Sequence, residues 1–340
     1  MIGWKPKFND ATVASVRYRC LNPLNELRRC GFQIELFTDR NLDRYSAVIF
    51  SKLYDQRNYE LALELKRKGR AVIFDVCDNH FYNPYGLEKF KVVRQQLLRM
   101  LSVADLITVS TEALADVLTE EGKLVVRPTV IGDAIEQEVL ELKSVGWLRR
   151  LGARMNLRRP PDNKKANLLW FGIHGGENAP YGILDILNQK GLLSDLSKSY
   201  PFRLIVVSNS REKFLKYIEP LPFETCYREW SVATFGETLR ASDICIIPIT
   251  KNPFTVCKTN NRLASALYAS IPTIADCIPS YRDLSSFCIL DDWEYGLRKY
   301  LSDKVAAQER AKPAKEFISA RYTTRQIGSL WANHLGQFLT

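Results

Sequence analysis

Residues 252–276 read NPFTVCKTNNRLASALYASIPTIAD. They lie between two short apolar runs, Asp243-Ile244-Cys245-Ile246-Ile247-Pro248-Ile249 and Ile271 to Ala275. Each run has the length of a strand and is apolar on both sides, the pattern of a parallel strand covered on both faces. Between them a loop with a proline leads into a helix-like segment that begins Lys258-Thr259-Asn260-Asn261-Arg262. In open parallel sheets ligands bind outside the carboxyl ends of strands, where loops lead into helices. Lys258 and Arg262 are four apart and share one helix face at that place. Cations at a helix N-terminus oppose its dipole by roughly a few tenths of a kcal/mol, so an anion is expected between them. Free backbone N–H groups there favour phosphate. The neighbouring amides, Asn261 among them, suit a sugar or ribose.

The same alternation extends outward from this stretch. In the first half, strands are expected at Phe32–Phe37, Ala47–Phe50, Arg70–Asp75 and Asp105–Val109, with extended chain from Lys123 to Ile131. Helices are expected at Tyr59–Lys68, Leu87–Ser102 and Thr111–Thr119. Residues 134–165 hold no strand. The alternation restarts at Asn167–Gly172 and continues through 202–208, 226–230, 243–249, 271–275 and 287–290. After Asp291 the chain is expected to be helical, over 293–301, 304–322 and 324–339. Two α/β sheets joined by a polar segment are the simplest reading. The chain of 340 residues, 46% hydrophobic and 25% charged, has material for two cores.

No run of about 18 apolar residues is present, so no membrane span is expected. Met1 to Lys7 lacks the apolar core of a signal peptide. The eight cysteines have no CxxC spacing, and most sit in apolar runs. Reduced thiols in a cytoplasmic protein are expected. The three histidines are remote from any cysteine pair, so no metal centre is expected. The net charge of +10 suits phosphorylated substrates, an anionic membrane or nucleic acid, but no nucleic-acid-binding module is recognisable.

Three more loops at strand ends are candidates. Trp170-Phe171-Gly172-Ile173-His174-Gly175-Gly176 could bring backbone close to a ligand. Asp75-Val76-Cys77-Asp78-Asn79-His80-Phe81-Tyr82 offers Asp78 or His80 to move a proton and aromatic rings, Tyr82 included, to stack on a sugar. Asp75 lies within the apolar run and reads equally as a structural hydrogen-bonder. At the first helix, Arg17 and Arg19 point roughly 200° apart, so both can face one ligand only if the turn is irregular. Finally, KSVGWLRRLGARMNLRRPPDNKK, residues 143–165, is a basic amphipathic stretch with a tryptophan, suited to an anionic membrane surface.

The order of these motifs resembles the GT-B glycosyltransferases, especially glycosyltransferase family 4. REWSVATFGETLRASDICIIPI and CKTNNRLASALYASIPTIADCIPSYRDL resemble the donor half, WFGIHGG its opening glycine loop, and YTTRQIGSLWANHL the closing helix. SVRYRCLNPLNELRRCGFQIEL and ADLITVSTEALADVL resemble the acceptor half. The resemblance implies two Rossmann-like domains facing a cleft, with a C-terminal helix crossing back to the first. The acceptor domain would be 1–133, the basic interdomain segment 134–165, the donor domain 166–322 and the returning helix 323–340. It implies a nucleotide-sugar donor, a glycan or lipid-linked acceptor, and no cofactor or metal. Gly175, Gly176, Lys258 and Arg262 would contact the donor phosphates, and Trp230 would neighbour the base. Many retaining members carry two glutamates eight apart where this chain has Cys257 and Ser265. A GT-B module that binds nucleotide or glycan without transfer is the alternative.

Overall fold

A computed structural model of the protein describes residues 1–141, 165–173 and 181–338. They build two six-stranded sheets, parallel throughout. The first sheet contains β1 (Ile2–Pro6), β2 (Ile34–Leu36), β3 (Ala47–Ser51), β4 (Ala71–Val76), β5 (Leu106–Val109) and β6 (Thr129–Val130). The second contains β7 (Ala166–Phe171), β8 (Phe202–Ser208), β9 (Glu224–Glu229), β10 (Ile244–Ile247), β11 (Thr273–Ala275) and β12 (Ile289–Leu290). Their orders are β2-β1-β3-β4-β5-β6 and β12-β11-β10-β7-β8-β9. Each order reverses direction once, between β1 and β3 and between β7 and β10. At such a reversal the connecting helices leave on opposite faces, and a crevice opens beyond the strand ends.

Each sheet is packed on both faces by apolar clusters, which is why its strands read as unbroken apolar runs. Ile73 and Phe74, adjacent on β4, fall into opposite clusters. This is the fold of two Rossmann-like domains expected from the sequence. β1 was not expected, because Lys5 and Pro6 dilute its apolar content, yet it lies within its sheet, between β2 and β3. The extended run expected over 123–131 reduces to Thr129–Val130. Lys123 takes a left-handed φ of 48° to end the helix Glu112–Gly122, and the chain rejoins the sheet only at Thr129. The helix expected over 304–322 is two, Lys304–Ala311 and Ala314–Ser319, since Pro313 cannot continue the first.

Two crossings tie the domains together. After β6 the chain passes over through Ile135, whose N–H donates to the Tyr322 carbonyl at 2.7 Å. It enters the helix Gln137–Glu141, which lies on the second domain: a Cβ on Gly236 would stand 2.4 Å from the Val139 oxygen. The return path is the helix Thr324–Leu335, which packs Trp331 against Trp4 with ring centroids 4.8 Å apart. No helix among the described residues is long and apolar enough to cross a membrane. The basic stretch 143–165 lies, except for Lys165, outside the described residues.

Candidate active site

The two crevices face each other, and three strand ends supply their side chains. β3 ends at Ser51, and Lys52 turns out of it with a left-handed φ of 59°. β4 ends at Val76 and delivers Cys77, Asp78, Asn79 and His80. β10 leads into a loop folded by Asn252, whose Oδ1 accepts from the N–H groups of Phe254 and Thr255 at 2.9 and 3.0 Å. A 3-10 turn, Thr255–Cys257, follows, and Lys258 emerges from it in extended conformation before the helix Asn261–Tyr268, so it does not share a helix face with Arg262 as their spacing predicted.

Asp78 is the meeting point. Lys258 of the second domain donates to its Oδ1 at 2.5 Å, and Lys52 of the first donates to its Oδ2. His80 Nε2 stands 3.9 Å from the same carboxylate, and its Nδ1 is 2.9 Å from the Tyr54 hydroxyl. Lys258 also lies over the Phe254 ring, 4.2 Å from its centroid, and Phe254 stacks on Tyr181. Arg262 projects across the second crevice to the end of β7, where a Cβ on Gly172 would come 3.5 Å from its Nη1. Among the described residues no carboxylate forms an ion pair with Arg262, and Asp185 feels its charge only at longer range. Asn261 Oδ1 is buried there without a partner among the described residues.

These positions shift the titrations. Burial works to raise the Asp78 carboxyl, but Lys258, Lys52 and His80 outweigh it and hold it well below the usual carboxylate range. Burial pushes the His80 imidazole down to about 4 against the pull of Asp78, so it is neutral near pH 7. Burial raises the Tyr181 phenol.

A second network lies deeper, where the chain crosses between domains. Arg19 is buried and donates to Asp75, to the Ile131 and Gly132 carbonyls and to Asp133. Asp75 also accepts from Ser51 and Thr108, at 3.1 and 2.9 Å. The other oxygen of Asp133 accepts from Thr259 at 3.1 Å and Asn261 at 2.7 Å, in the second domain. Burial raises the Asp133 carboxyl, opposed by Arg19 and these two donors.

The structure thus brings together Asp78, His80 and Lys258, whereas Asn261 donates to Asp133 and Arg262 lies beside Gly172 at the end of β7. Tyr82 lies nearby, close enough to act on the Tyr181 phenol. Asp75 has the structural role that was one of its two readings. Arg17 and Arg19 sit in a π-helical turn, Arg17–Leu21, and both are buried. Arg17 pairs with Glu136 at 2.7 Å and lies 4.7 Å from the Trp230 ring, so both residues serve the domain boundary, and Arg19 is consumed by its network. Gly175 and Gly176 fall outside the described residues. Cys257 and Ser265 are buried, Cys257 against the first domain's core. Sequence reading passed over Lys52 and Asp133. Lys52 carried a usable signal, a charge directly after a buried parallel strand. Asp133 did not, because its partners are over a hundred residues away.

No protein-family model and no curated protein matches the sequence. Solved structures do match it. Anabaena Alr3699/HepE in complex with UDP is 12% identical over 99% of both chains, with a TM-score of 0.68. A glycosyltransferase from Rickettsia africae ESF-5 is 13% identical over 100% of this chain and 98% of that one, TM-score 0.64. A point mutant of S. aureus TarM, in complex with fondaparinux, alpha-GlcNAc-glycerol and UDP, is 13% identical over 86% of this chain and 55% of that one, TM-score 0.60. The chain therefore has the two-domain fold of GT-B glycosyltransferases.

Proposed function

We propose that this protein is a glycosyltransferase that moves a sugar from a nucleoside-diphosphate sugar to a glycan or lipid-linked acceptor, in surface polysaccharide or glycolipid synthesis. The carrying observation is the pairing across the cleft: a basic, amide-rich helix start on one domain meets a carboxylate and a neutral histidine on the other. In this reading Lys258, Arg262 and the first N–H groups of the Asn261–Tyr268 helix take up the charge that develops on the leaving diphosphate. Asn261 Oδ1 accepts a donor hydroxyl. His80 Nε2, with Nδ1–H given to Tyr54, receives the acceptor's proton, and Asp78 orients the acceptor. Tyr82 lines the acceptor side, and Gly175 and Gly176 approach the phosphates. No cofactor is needed in this scheme, because basic groups neutralise the diphosphate. Similarity in fold to HepE, which was solved with UDP and with UDP and glucose, supports UDP as the first nucleotide to try. The motif order favours a relative of family 4.

Thermal-shift screening against UDP, GDP, ADP and CMP and their sugars tests the donor, since a ligand that binds only the folded state raises its melting temperature. Lys258→Ala and Arg262→Ala should each weaken the best nucleotide by about 1.5–3 kcal/mol in calorimetry. Unchanged binding in both variants would sink the assignment. One observation favours the second reading, a binding module without transfer: Cys257, at a glutamate position of many retaining members, is apolar in its surroundings. Tight nucleotide binding with no release of nucleotide from any sugar donor, with or without glycan acceptors, would select that reading. For the basic stretch 143–165 we propose contact with the inner face of an anionic membrane by a cytoplasmic protein. The protein should pellet with anionic vesicles at low salt and be released as salt rises. Failure to pellet removes the membrane from this proposal.

A further inference from the structure

The Lys258–Asp78 bridge joins the donor-binding helix start to the acceptor side of the cleft, and its charges do not balance. Lys258 and Lys52 converge on Asp78, the Lys7 ammonium acts on the adjoining His80, and Arg262 stands across the crevice with no ion-paired carboxylate among the described residues. The other ionisable groups that sense Asp78 are His80, neutral near pH 7, the Cys77 and Cys257 thiols and the Tyr54 and Tyr181 phenols, the last four raised by burial and so uncharged. Among the described residues the cleft carries a surplus of cations around one carboxylate.

The three side chains are not equally held. Lys52 and Asp78 are 18% and 12% exposed, and Lys52 keeps a left-handed backbone that side-chain-bearing residues rarely adopt, so its aim at Asp78 is imposed by the fold. Lys258 is 37% exposed, and the Phe254 ring it lies over while it holds Asp78 belongs to its own domain. A carboxylate oxygen at 2.5 Å offers an ammonium the same contact as a phosphate oxygen.

We propose that Asp78 is the resident counter-ion of Lys258, that the donor diphosphate displaces it, and that Lys52 is the positioning residue that keeps the released carboxylate on the first domain. The proposal rests on the donor-binding role given to Lys258 above. Before the donor arrives, Asp78 Oδ1 occupies the contact that a phosphate oxygen requires. When the diphosphate binds, Lys258 turns to it, and Asp78 withdraws to Lys52 instead of repelling the incoming anion. The exchange frees Asp78 Oδ1 for an acceptor hydroxyl only once the donor is in place. Other contacts between the domains involve no exchange, among them Asn79 to the Pro253 carbonyl at 2.9 Å, Thr111 to the Cys257 carbonyl at 2.9 Å, and Asp133 to Thr259 and Asn261.

The signs of the expected effects separate this device from a structural bridge. UDP binding is measured by calorimetry at low ionic strength, with GDP and ADP in parallel. Asp78→Asn keeps the shape and removes the competing charge, so it should tighten binding about three- to tenfold. In a Lys258→Gln background the same change should have no effect, which excludes a general gain in positive potential. Lys52→Met leaves Asp78 to Lys258 alone and should weaken binding by a similar factor, and adding Asp78→Asn should abolish that loss. If Asp78→Asn fails to fold, the comparison of Lys52→Met with Lys52→Arg carries the test, since only the first should lose affinity. Unchanged or weaker binding by Asp78→Asn, or a loss in Lys52→Met that Asp78→Asn does not repair, overturns the exchange. Failure of all three nucleotides to bind the wild-type protein overturns the donor-site reading itself.

Discussion

Two charge networks link the domains, and they are built differently. The deep one joins Arg19, Asp75 and Asp133 to Thr259 and Asn261; the cleft one joins Lys52 and Asp78 to Lys258. Arg19 is a planar donor set withdrawn from water, with carboxylates and two carbonyls arranged around it. No part of it can move without leaving a buried charge unpaired. The cleft network relies on ammonium groups, which hold a carboxylate from many directions and release it cheaply where water reaches. Asp75 and Asp78, three positions apart, thus serve opposite ends: one is locked onto Arg19 where the chain crosses between domains, and the other lies at the cleft, where we propose that it meets substrates.

The comparison breaks most visibly at the deep network. Asp75→Asn or Arg19→Met should destabilise the protein by about 3–5 kcal/mol in denaturant unfolding, the cost of a buried charge left without its partner. Asp78→Asn should cost far less. Equal losses at the two aspartates would erase the distinction drawn between the networks.

A smaller effect sharpens it from the side of the cleft. His80 is held near pKa 4 in the folded protein, against about 6.5 when unfolded. Between those values the unfolded chain binds the extra proton, so stability falls as pH drops from about 6.5 towards 4. Asp78, kept ionised by its lysines in the folded protein, adds to the fall only from about pH 5 downward, as the unfolded carboxyl begins to take up protons. His80→Gln should therefore flatten the fall in stability between pH 7 and pH 4 by roughly 2–3 kcal/mol. Identical pH profiles of melting temperature in wild type and variant would show that the imidazole is not held neutral by burial.

Much of this was readable along the chain, because buried parallel strands advertise themselves as continuous apolar runs and the loops at their carboxyl ends are where ligands go. That reasoning singled out the loops that carry Lys258, Arg262, Asn261, Asp78 and His80, and the resemblance to the GT-B glycosyltransferases anticipated the returning helix. It did not find β1, whose lysine and proline mask an interior strand.

The sequence by itself determined the two α/β domains and the loops that end at the cleft, since hydrophobic periodicity and turn chemistry are local properties. Only the tertiary structure decided which charges meet. Lys258 and Asp78 are 180 residues apart, Asp133 and Asn261 are 128 apart, and Arg19 and Asp75 are 56 apart. Arg17 and Arg19, which their spacing points apart, are both buried because each meets its own partners, Glu136 and Trp230 for the first and Asp75 and Asp133 for the second. A charge becomes structural or functional through how far it is desolvated and what surrounds it, and those quantities exist only once two sheets have closed on each other.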